Sequence, residues 1–164
     1  DEEVLVAASL INEPAMAALL QRANKALEGV FALYATNLGA PEPYRRGHWQ
    51  VQAIRRFASA FEFAALMSLS HLQQLFDRCA HHEAEANRGV DGRMSFAGFR
   101  LALIVIAQRI YAGAPTDPPT HCLAHLFLRL SATGNARDSG DLLTAARSIK
   151  APVILAAEMR TDSK

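Results

Sequence analysis

The chain has 164 residues, 51% of them apolar and 20% charged, and a net charge of +1. That length supports one domain with a sizeable core, so folding requires neither a metal nor a disulfide. The composition excludes a largely disordered chain, and the balanced charge excludes long-range attraction to nucleic acid or an anionic membrane as the basis of function.

Apolar residues recur at intervals of three and four through most of the sequence, and strand signals are almost absent, so the fold is expected to be all-α. The acidic start DEEV is not a secretory leader, and the absence of an initial Met leaves room for a removed leader or a longer arm. A first long helix should open at NEP, with Asn12 as its cap, and turn Met16, Leu20, Leu27 and Phe31 inward. It should stop at TNLGAPEP, where glycine and two prolines end a helix. A second helix is expected from about Gln50 until the pattern weakens near Phe63. A third begins at SLSHLQQLF, where Ser70 and Gln73 have the spacing of a capping box. Beyond the polar stretch HHEAEANRGVDGR, a strongly apolar fourth helix should cover Phe96 to Tyr111. Its run LALIVIA at 101–107 is far short of the roughly 20 residues that cross a bilayer, so no transmembrane segment is expected. Asp117 and Pro118 open a fifth helix that continues through Leu130. TGNARDSG reads as a flexible link, and the last segment as helix up to Lys150. The expected organisation is a helical domain over 1–135 and a partly helical C-terminal extension over 136–164.

The stretch DGRMSFAGF, residues 91–99, nearly spells the second half of a calcium-binding loop. Such a loop has twelve residues, with oxygen ligands at its odd positions up to the ninth, a glycine at the sixth and a bidentate glutamate at the twelfth. Setting Gly92 at the sixth position runs the loop from Asn87 to Gly98. Asn87, Asp91 and Ser95 each offer an oxygen, but Gly98 stands where the glutamate belongs. Arg88 and Arg93 add positive charge where a dication would sit, so no calcium is expected there. Gly92 still permits the sharp turn, and Met94 fills the apolar position after it. Units of this kind come in pairs. Aligning Trp49 with Met94 sets Ile54 against Phe99 and makes ATNLGAPEPYRRGH the upstream loop, with Glu42 its only acidic residue.

Taken together, an F-x-x-Y entering helix, a degenerate first loop, L-x-x-L-F and the exit helix M-S-F-x-x-F-x-x-A-L-x-x-I-A-x-x-x-Y resemble the tubulin polymerization-promoting protein family and related calcium-blind helix-loop-helix proteins. The strongest piece is RMSFAGFRLALIVIAQRIY at 93–111, and the resemblance covers about residues 27–130. It implies a non-enzymatic protein associated with the cytoskeleton, a cilium or a flagellum, with tubulin among its partners. The expected architecture is a pair of calcium-blind EF-hand-like units with extra N- and C-terminal helices. It would need no cofactor and would dock other proteins of a larger assembly. Candidate partner-binding residues are Trp49, Phe61 and Phe63, of which one or two should stay exposed, with Arg45 and Arg46.

Two other constellations compete. CAHHEAE brings Cys79, His82, Glu83 and Glu85 close in sequence, and HCLAH spaces His121 and His125 four apart. Neither supplies four converging ligands or the glutamate of a zinc protease, so a solvated helix end is preferred to a metal protein or small enzyme built on Cys79 and His82. Cys79 and Cys122 show no redox spacing, as in a reduced intracellular chain. A last alternative, an accessory subunit of a mitochondrial membrane complex, rests on the apolar 101–107 run and the missing leader.

Overall fold

The structure, a computed structural model, describes residues 2–36, 47–87, 93–113, 117–133 and 136–148, without the side chains of 87 and 136–141. The described residues form seven α-helices and no strand: α1 (Glu2–Leu10), α2 (Pro14–Tyr34), α3 (Val51–Ala60), α4 (Leu69–Asn87), α5 (Phe96–Tyr111), α6 (Pro119–Thr133) and α7 (Ala136–Arg147). The chain is all-α, as its periodicity requires.

Local chemistry sets the helix ends. Pro14 opens α2 at a position whose amide needs no partner, and Glu13, not Asn12, occupies the cap without a side-chain bond. The α5 start falls where expected, with the Ser95 hydroxyl accepting the Gly98 N–H at 3.2 Å. For α4 the cap is Ser68, whose hydroxyl accepts the His71 N–H at 3.2 Å, while the expected Ser70 lies inside the first turn. After α3 the chain turns through Glu62, whose φ of 55° is uncommon for a residue with a side chain, into a short 3-10 turn at Phe63–Ala65.

The segment read as a link is helical from Ala136. It folds because Leu142, Ala145 and Ala146 are buried in the common core, where α7 packs on α2 and α6. Leu142, Ala145 and Ala146 of the expected extension therefore pack with the helical body.

Helix α5 is the centre of the molecule. Every residue from Leu101 to Ala107 is buried, and α1, α4 and α6 all pack against it. A helix that is apolar on all sides needs neighbours on all sides. That enclosure accounts for LALIVIA as core and removes the apolar run as a motive for a membrane complex. No single helix among the described residues is long and apolar enough to cross a membrane.

Candidate functional site

The α2–α3 and α4–α5 pairs meet through their connecting segments. Trp49 N–H donates to the Met94 carbonyl at 2.9 Å and Met94 N–H to the Trp49 carbonyl at 3.0 Å, an isolated antiparallel bridge. A second bridge joins Thr36 and His48, with N–H to carbonyl distances of 2.8 and 3.1 Å. Gly47 makes that bridge possible: its φ is +90°, and a Cβ there would lie 2.8 Å from the Thr36 carbonyl oxygen.

The side chains around the bridge form one aromatic cluster. Trp49 Nε1–H donates to the Phe31 carbonyl at 2.8 Å, and its ring stacks on Phe31 at 5.3 Å and meets Phe99 at 4.7 Å and Phe57 at 5.1 Å. Its exposure is only 1%, so Trp49 faces the core and not a partner. Phe61 and Phe63 are corrected in the same way: both are buried, with rings 4.9 and 5.1 Å from Phe57. The turn at Glu62 breaks the helical period between them, which allows both to enter the same cluster. Arg45 and Arg46 lie outside the described residues.

In the second loop, Asn87 ends α4, and Arg88, Asp91 and Gly92 lie outside the described residues. Ser95 is buried, and its oxygen is engaged by the cap. Replacing Ser95 with alanine is expected to cost about 1 kcal/mol, the ordinary loss for a cap, read from the urea midpoint. At Gly98 a Cβ would lie 3.0 Å from Met94 Cγ and 3.7 Å from Glu83 Cγ. A side chain at the loop's twelfth position would therefore press on the bridge residue's own side chain, which would have to shift.

His48 has no role in the sequence reading, yet it is buried beside the bridge. Burial, reinforced by the nearby Arg93 charge, holds its imidazole below the usual histidine value. Its stabilising contribution is complete above the unfolded value of about 6.5 and is lost as pH falls from there toward the lowered folded value. Between pH 7.5 and 5.5, the native chain should lose more stability than His48→Gln, as measured by urea unfolding at both pH values.

The competing constellations do not assemble. Cys79 is fully buried, and burial pushes its thiol up to about 12, which favours the neutral form at physiological pH. Glu85 pairs with His81 at 3.1 Å, and the His125 ring stands edge-on to Tyr111 at 5.1 Å. Among the described residues, no group of three or more His, Cys, Asp or Glu side chains could hold a metal ion.

No protein-family model, curated protein or solved structure matches this chain. Its site is therefore read from its own geometry. A polar feature that the sequence concealed lies away from the bridge, where Glu3 of α1 meets Arg109 of α5 and Arg78 of α4. Glu3 and Arg109 are 106 positions apart, so no local pattern joins them.

Proposed function

We propose that the chain is a calcium-independent, paired EF-hand-like interaction module that serves, without catalysis, as a structural component of a larger assembly. A microtubule or ciliary assembly is the setting proposed for it. The observation that carries the module reading is the Trp49–Met94 bridge, because it couples two helix-loop-helix segments at the positions that the loop alignment makes equivalent. Glycine at 98 removes the bidentate carboxylate, and Ser95 uses its oxygen to cap α5. Met94 and Trp49 instead hold the pair closed through backbone bonds and aromatic packing, with no ion required. A module of that kind is a fixed bracket, not a switch.

Two measurements test the reading. Millimolar calcium should leave the melting temperature unchanged, whereas a site filled at a hundred times its Kd would add about 2.7 kcal/mol of stability. A clear upward shift would overturn calcium independence. In the second, the protein should pellet with polymerised tubulin at low salt. Failure to pellet would remove the microtubule setting while leaving the bridge-paired module intact.

A further inference from the structure

Helix α1 is loosely seated for an element that covers the central helix. It has nine residues, too few for an isolated helix to persist in water. Val4 and Ala7 are fully buried and Ala8 and Leu10 pack partly buried against the core, while Leu5 and Val6 are 58% and 50% exposed. Its polar anchor is Glu3, whose carboxylate accepts from Arg109 Nε at 3.1 Å and from Arg109 Nη2, with Arg78 Nη1 at 3.8 Å. That guanidinium pairing lowers the Glu3 carboxyl below its ordinary value.

Two solvent-open clefts flank the seat. A cleft of about 330 Å³ opens where Val4 and Leu5 face Asp77 and His81 of α4. A second, of about 270 Å³, opens where Val6 and Ala7 face Val105 and Gln108 of α5. At this second cleft the Gln108 side-chain nitrogen Nε2 is buried with no hydrogen-bond partner. A buried donor left unmet opposes the arrangement that leaves it so. The exposed Leu5 and Val6, the open clefts beside them and the unmet donor describe a groove that its present occupant covers only in part.

We propose that α1 is a replaceable occupant of a docking groove on α4 and α5, and that this groove accepts a short acidic amphipathic helix from a partner protein in its place. The chemistry of that helix follows from what α1 offers: a carboxylate for Arg109 and Arg78, with apolar side chains one and four positions later, as at Glu3, Val4 and Ala7. Side chains larger than valine and alanine would fill the two clefts, and an acceptor opposite Gln108 would meet its donor. The groove's two arginines suit a carboxylate better than lysines would, because the guanidinium fork matches its geometry. The inference does not depend on how the two loops are paired.

Hydrogen exchange on the full native chain gives the first test. The α1 amides should exchange together at least about tenfold faster than those of Leu103 and Ile104, because α1 opens without global unfolding. Exchange of α1 no faster than α5 would overturn the proposal. The second test uses the full chain carrying Glu3→Lys, which turns the clamp repulsive, and a fluorescent peptide of residues 1–13. The peptide should bind this variant at least about tenfold more tightly than the native chain, and a Glu3→Gln peptide should bind it more weakly, since a charge-assisted pair is worth about a factor of ten. Equal affinity for both chains, or no binding to a folded variant, would overturn the proposal. Should Glu3→Lys fail to fold, the exchange rates of the native chain decide.

Discussion

Trp49→Ala is expected to lower the stability of the chain by about 3–5 kcal/mol, the largest loss foreseen for any single aromatic, read from urea unfolding. The residue is used three ways at once. Its backbone forms half of the bridge to Met94, its indole N–H bonds the Phe31 carbonyl, and its ring touches Phe31, Phe57 and Phe99. The alanine variant keeps the backbone bridge but opens a cavity at the centre of the cluster. Trp49→Phe separates the terms: the Phe31 carbonyl still accepts the Ala35 N–H at 3.0 Å, so it is not orphaned. The phenylalanine variant should therefore lose only about 1–2 kcal/mol, the value of one buried hydrogen bond plus a small packing defect. As the only tryptophan, this residue also reports directly, through a blue-shifted emission that moves red when the cluster opens.

Gly98→Glu, which would restore the loop's missing carboxylate, is expected to destabilise the chain by about 1–3 kcal/mol, the usual range for overpacking, and to create no calcium site. The new side chain would begin 3.0 Å from Met94 Cγ, inside a position that is buried, and 3.7 Å from the Glu83 side chain. Overpacking and a carboxylate set beside another carboxylate act in the same direction. Arg93 remains to repel a dication. Thermal melts of the variant with and without calcium check both halves of the expectation. A calcium-dependent recovery of stability would show that the loop needs only its glutamate. Absence of any recovery is the expected result, since the other ligands are still lacking and Arg93 still repels the ion.

Much of the helical frame was legible because strong local signals agreed with the packing. The apolar run from Phe96 to Tyr111 gave both ends of α5, although Ser95 before it reads as a loop oxygen and not as the cap, and NEP placed the start of α2 while Asn12 missed its cap by one residue. Aligning Trp49 with Met94 on pattern alone also picked out the two residues that bridge. Other features lay beyond local reading. Phe61 and Phe63 sit where the amphipathic pattern of α3 fades, and a left-handed Glu62 is invisible to periodicity. One or two of Trp49, Phe61 and Phe63 were expected to stay exposed, but all three are buried, and the Phe31 carbonyl satisfies the Trp49 N–H inside the core. The start of α7 carries Asp138, Ser139 and Gly140, poor helix formers that resemble a link, and its formation depends on the burial of Leu142, Ala145 and Ala146 against distant helices. The Glu3 clamp joins opposite regions of the sequence and leaves no trace in either.

The encirclement of α5 has a consequence for biosynthesis. Its apolar run is complete by residue 107, yet α6, which closes over it, ends at Thr133 and follows later from the ribosome. At typical synthesis rates of roughly 5–20 residues per second, the nascent chain carries α5 with its α6-facing side uncovered for a second or more. Chaperone demand should therefore concentrate in that interval, and ribosome pausing after α5 has emerged but before α6 has done so should raise the aggregated fraction more than pausing elsewhere in the message.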